Sequence, residues 1–150
     1  MSTNLNRTLL LIDDDNDDTD FFYEAVKSID KNINCFNAEN GKKAIELLDK
    51  NNLVPDLIFL DINMPVMGGF ECLKNLKNNE KLKNIPVVIY STSSNTSDIV
   101  LAKKLGALSF YVKPYHIKEI RDFFKFIVEN INNDLINIIK SHTSSNIFIL

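Results

Sequence analysis

The sequence predicts an α/β fold, a (βα)5 doubly wound domain around a five-stranded parallel sheet. Short aliphatic runs recur along the 150 residues, each followed by a segment with apolar residues at helical spacing. Several runs are apolar almost throughout, as strands buried on both faces are. Most end abruptly in a polar or charged residue. Alternating strands and helices imply parallel pairing, right-handed crossovers and helices on both faces of the sheet.

The first strand is expected at Thr8–Ile12, and Phe21, Phe22, Ala25, Val26 and Ile29 then share one face of a first helix. The second strand is placed at 33–36, before a helix that starts near Gly41 and carries Ala44, Leu47 and Leu48. The third strand, 56–60, precedes a helix marked by Phe70, Leu73 and Leu76. The fourth, 86–90, precedes one marked by Ile99, Ala102 and Leu105. The fifth, Ser109–Val112, leads into a stripe of Ile117, Ile120, Phe123, Phe124, Ile127 and Val128.

Composition narrows the function. The chain is 45% hydrophobic and 25% charged, ordinary for one globular domain with a real core. A net charge of −3 offers no general attraction to nucleic acid or to an anionic membrane. The start, MSTNLNRT, lacks an apolar signal segment, and the apolar runs are too short to span a bilayer. Cys35 and Cys72 are too few and isolated for a disulfide scaffold or a cysteine metal site, so a reduced, cytoplasmic protein is expected.

In a parallel α/β sheet, ligands gather at the carboxyl ends of the strands. Asp13, Asp14 and Asp15 follow the first strand, Asp61 the third, Ser91 and Thr92 the fourth, and Lys113-Pro114 the fifth. The run LLLIDDDNDDTD crowds Asp13, Asp14, Asp15, Asp17, Asp18 and Asp20 together, with no lysine or arginine between Arg7 and Lys27. Two carboxylates about 4 Å apart repel by roughly 4 kcal/mol at a surface-like dielectric. Such a run is either a solvated helix cap or a cation site.

The motifs LLIDDD, DLIFLDINMPVMGG, PVVIYSTS and GALSFYVKPY, in this order, resemble those of receiver domains of two-component response regulators, in particular the single-domain, chemotaxis-regulator-like kind. The acid-rich IDDDNDD is also similar to regulators paired with phytochrome-like kinases. The resemblance covers residues 7–130, leaving 1–6 as an N-terminal tail and 131–150 as a C-terminal helical extension. It implies the flavodoxin-like strand order 2-1-3-4-5, for which a receiver is itself a standard example.

The same resemblance implies the site. Asp61 is the phosphoacceptor, a carboxylate nucleophile that forms an acyl phosphate. Mg²⁺, or Mn²⁺ in its place, is held by Asp14, Asp61 and the backbone carbonyl of Asn63, with Asp13 acting through water. Lys113 pairs with Asp61 and then with the phosphoryl group, and Ser91 donates a hydrogen bond to it. Phe110 and Ser91 shift on phosphorylation, and the Lys113–Pro114 bond is cis. Asp15, Asp17 and Asp18 fall where the first helix begins and complement its dipole. The implied function is a stand-alone phosphoacceptor, not an enzyme beyond its own phosphorylation and dephosphorylation. Its partners are a histidine kinase or phosphotransfer protein and a downstream protein target. Too few residues follow 130 for an effector domain.

Other readings fare worse. Asp13, Asp15, Asp17 and Glu24 fit positions 1, 3, 5 and 12 of a calcium loop, but the glycine required at position 6 is Asp18. A haloacid-dehalogenase-type phosphatase would use Asp13 and Asp15 with Ser91 and Lys113, yet lacks its further acidic pair and leaves DINMP unexplained. A pseudo-receiver, an interaction module without phosphoacceptor chemistry, would not need the full residue set. Departures from the family pattern are mild: Ser91 for the commoner threonine, Phe110 where tyrosine is frequent, and Gly68 for a polar residue. His116 and His142 read as surface or structural.

Past Val128 the apolar stripe runs on through Ile131, Leu135, Ile138 and Ile139, and Asn133 or Asp134 can cap a separate helix. An exposed stripe marks a contact. The expectation is a homodimer through the fifth helix and this tail, with folding back onto the same domain as the alternative. The terminal SHTSSNIFIL offers a polar linker and an apolar end that can become a strand.

Overall fold

The computed structural model describes residues 7–142 and 147–150. The expected N-terminal tail, 1–6, and the polar stretch 143–146 lie outside the described residues. Strands β1 (Thr8–Ile12), β2 (Asn34–Ala38), β3 (Leu57–Leu60), β4 (Val87–Ser91) and β5 (Ser109–Val112) pair in parallel in the order 2-1-3-4-5. They alternate with α1 (Asn16–Ile29), α2 (Gly41–Lys50), α3 (Gly69–Lys77), α4 (Thr96–Lys104) and α5 (Ile117–Asn130).

The apolar strands are buried because both sheet faces are covered. Leu9 and Leu11 of β1, Leu57 and Phe59 of β3, and Val88 and Tyr90 of β4 pack with Phe22 of α1 and Phe123, Phe124 and Ile127 of α5. Their alternates, Leu10, Ile12, Ile58, Leu60 and Ile89, pack with Ala44 of α2, Leu73 and Leu76 of α3 and Ala102 of α4. Each strand therefore splits its side chains between two cores with period two. Phe59 is the hub of the first, with edge-on contacts to Phe22, Tyr90, Phe123 and Phe124.

The tail folds back onto its own domain. After α5 the chain turns at Ile131 and forms α6 (Leu135–Ser141), with Asp134 as its cap residue. Ile131, Leu135 and Ile139 are buried in the α1/α5 core. The chain then adds β6 (Ile147–Ile149), antiparallel to β5, so among the described residues the sheet has 6 strands. Arg7 ties the tail to the start of the domain, donating from Nε to Asn132 Oδ1 at 2.7 Å. The exposed stripe on which a second copy was expected to dock is thus largely consumed within the chain. A row of branched side chains gains the same burial from its own domain without the entropy of association.

The second strand lies one residue further on than expected at its start and two at its end. Its ladder with β1 runs to Ile12↔Ala38, through polar Asn37. At an edge of the sheet, backbone pairing with one neighbour carries the strand past its apolar run.

Candidate functional site

Strand register builds the site. Ile12 pairs with Leu60, and Asp61 N–H donates to the Ile12 carbonyl at 2.9 Å, so Asp13 and Asp61 emerge side by side. Ser91 pairs with Val112, and Lys113 N–H donates to the Ser91 carbonyl at 2.7 Å. Four strand ends thus deliver Asp13, Asp61, Ser91 and Lys113 to one rim.

One carboxylate oxygen each from Asp13, Asp14 and Asp61 lies within 4.8 Å of the other two. Asp13 and Asp61 are buried and Asp14 is exposed. Burial pushes the Asp13 carboxyl up to about 6, against the opposing pull of the Asp15 N–H, at 2.9 Å, and of Lys113. Asp61 is also raised, chiefly by burial, while Lys113 and the Asn63 N–H, at 3.4 Å, hold it down and Asp14 adds to the rise. Three oxygen donors with unfavourable mutual repulsion suit a hard divalent cation such as Mg²⁺ or Mn²⁺. Asp14 is the exposed member of the cluster, so the site is open to water on its side.

The opening aspartate run divides its labour. Asp15 caps α1, its side chain accepting from the N–H groups of Asp17 at 2.8 Å and Asp18 at 3.2 Å. Asp17 stays at the positive end of the helix. Asp18 does more than complement the dipole, because its Oδ2 accepts from Lys113 Nζ at 2.6 Å.

Two expectations about Lys113 are corrected. Its amine pairs with Asp13, at 2.9 Å, and with Asp18, and among the described residues no ion pair joins it to Asp61. The Lys113–Pro114 peptide is trans. Trans is the lower-energy isomer for X–Pro, by about 0.5–1 kcal/mol. Lys113 Nζ lies over the Tyr90 ring, 4.6 Å from its centroid. Burial opposes the charge on Lys113, but Asp18 and Asp13 outweigh it and raise its pKa. Asp18 is the one site residue that sequence reasoning passed over. Its place in the first helical turn already had an explanation, and its lysine lies 95 positions away.

Ser91 is fully buried, and its Oγ accepts the N–H of Ser93 at 3.1 Å. Phe110 is fully buried in the core that faces α2, α3 and α4, and pairs across the ladder with Phe148 of β6. Asn63 is exposed beside Asp61. Gly69 permits the close return of the loop after β3: a Cβ there would clash with the Asp61 carbonyl oxygen. A cleft of about 640 Å³ opens next to Lys113, lined among others by Asp18, Thr92, Pro114 and Glu119.

Residues 9–125 match the family of response regulator receiver domains. The chain belongs to that family. It is 34% identical over 121 residues to sporulation initiation phosphotransferase F of Bacillus subtilis, covering 81% of this chain and 93% of that one. It is 30% identical over 130 residues to response regulator Rcp1 of Synechocystis, covering 83% and 86%. The Mn²⁺-bound form of Rcp1 superposes with a TM-score of 0.72, at 30% identity over 81% of this chain and 91% of that one. The phosphorylated cyanobacterial phytochrome response regulator RcpA superposes with a TM-score of 0.79, at 28% identity over 85% and 95%. Receiver membership replaces the phosphatase alternative, and the acidic cluster of Asp13, Asp14 and Asp61 matches the divalent-cation site of such domains. Among the described residues, no helix is long and apolar enough to cross a membrane.

Proposed function

We propose that Asp61 accepts a phosphoryl group from a phosphohistidine of a kinase or phosphotransfer partner in the cytoplasm, and that the chain signals through protein contacts or passes the group on. The observation that carries this is the convergence of Asp61 with Asp13 and Asp14 at strand ends, with Lys113 on the same rim. An Asp61 carboxylate oxygen attacks phosphorus. The phosphorus–nitrogen bond of the donor breaks, its electron pair returns to the imidazole, and Asp61 becomes an acyl phosphate. A bound divalent cation supplies Lewis-acid neutralisation of the phosphoryl oxygens. Asp14, Asp61 and the Asn63 carbonyl would hold it directly, and Asp13 through water. Lys113 moves its ammonium to pair with a phosphoryl oxygen, and Ser91 turns its hydroxyl proton toward another. The added charge draws on Ser91 of β4, and Phe110 of β5, the strand between β4 and β6, shifts with it. The chain turns over nothing beyond its own acyl phosphate.

The test is incubation with Mg²⁺ and acetyl phosphate, followed by intact mass. One phosphoryl group should be gained, and Asp61→Asn should gain none. Equal labelling of Asp61→Asn overturns the assignment, and rapid turnover of varied phosphoesters points to a phosphatase instead.

A further inference from the structure

Lys113 faces a choice among carboxylates, and Asp18 is the closest partner it takes. The lysine side chain is 9% exposed and that of Asp18 28%. A nearly buried ammonium cannot stand without a counter-charge. Asp13 alone is a poor anchor, because the cation site draws on the same carboxylate. Asp18 lies outside the cluster of Asp13, Asp14 and Asp61, so filling that cluster does not compete for its carboxylate. Nor is Asp18 needed as a cap, since Asp15 already serves the N–H groups of Asp17 and Asp18.

We propose that Asp18 is a positioning residue that parks Lys113 away from Asp61 in the resting protein. This deepens, and rests on, the reading of Asp61 as phosphoacceptor. The Lys113–Asp18 bond belongs to the resting state, and the lysine leaves it for the phosphoryl group. A contact made in one of two states shifts their balance by its own strength. Asp18 therefore favours the unphosphorylated form and limits how fully the chain charges at a given donor concentration. Removing its charge should shift the balance toward the phosphoryl-bound state by about twofold to fivefold, the strength of an ion pair that still touches solvent through Asp18.

The experiment titrates the full chain with beryllofluoride, a phosphoryl mimic, at saturating Mg²⁺. Asp18→Asn should bind it about twofold to fivefold more tightly than the wild type, and Asp18→Glu should return to the wild-type affinity. A merely structural role would not give tighter binding with rescue by glutamate. In the wild type, the Asp18 carboxyl ¹³C resonance should move when beryllofluoride binds. This second measurement needs no variant and so survives a failure of Asp18→Asn to fold. Unchanged or weaker binding by Asp18→Asn, or an unmoved Asp18 resonance, overturns the parking role while leaving Asp61 in place. Uptake by Asp61→Asn equal to the wild type would instead remove the phosphoacceptor reading, and this inference with it.

Discussion

Ile139→Ala tests whether the tail belongs to the core of its own chain. Ile139 is 1% exposed and packs with the α1/α5 core. Truncation to alanine removes three carbons, worth about 2.4 kcal/mol by transfer, and leaves a cavity. Buried isoleucine-to-alanine changes cost about 2–5 kcal/mol. The seven-residue helix α6 lies at the periphery, where partial collapse is easy, so the lower half applies, about 3 kcal/mol. For a chain of this size that lowers Tm by about 6–12 °C. Ile136, 39% exposed on the same helix, is the control, and its alanine variant should fall within about 0.5 kcal/mol of wild type. The assay is thermal unfolding by circular dichroism at low and high micromolar protein. A wild-type Tm that climbs with concentration would assign the stabilisation to a second copy. An Ile139→Ala variant as stable as Ile136→Ala would refute the packing argument.

Mg²⁺ affinity should fall with pH as Asp13 takes up a proton near 6, to about tenfold weaker at pH 5 than at neutrality, measured by titration calorimetry. In the metal-free chain the raised Asp13 pKa has the opposite consequence for stability. Its contribution is present below the unfolded value of 3.8 and is lost as pH rises through about 6, so Asp13→Asn should flatten the decline of Tm across that window in chelator. Gly69→Ala places a methyl against the backbone of Asp61 and Ile62, so it should lower both Tm and the rate of labelling by acetyl phosphate, whereas Gly68→Ala, with its nearest atom at 3.5 Å, should do neither strongly.

The parallel sheet was legible because two-sided burial leaves continuous aliphatic runs such as Leu9–Ile12, and because each run stops where backbone must leave the core. Asp13, Asp61, Ser91 and Lys113 were legible for the same reason: they are the residues at which those runs stop. The partner of Lys113 was not. Choosing among Asp13, Asp18 and Asp61 depends on ångström-scale distances between elements far apart in the chain, and spacing holds no such information. The stripe of Ile131, Leu135 and Ile139 announced an apolar face correctly, but periodicity says only that a face must be covered, not by what. β6 escaped a firm reading because three residues are too few for a period.

The position of Lys113 over Tyr90 gives the protein a built-in chromophore. The chain has no tryptophan and four tyrosines, so its near-ultraviolet spectrum comes from tyrosine with a weak phenylalanine contribution. Tyr90 and Tyr111 are buried with their rings parallel, 6.0 Å between centroids, and Tyr111 stacks on Phe123 at 3.9 Å. Burial also keeps the Tyr90 phenol from ionising in any ordinary buffer. A cation poised on one end of this rigid stack polarises its electronic transitions, and departure of the cation lifts that field. Absorbance and circular dichroism of the unlabelled chain should therefore follow the lysine as it moves, giving an optical signal of the switch without any added dye.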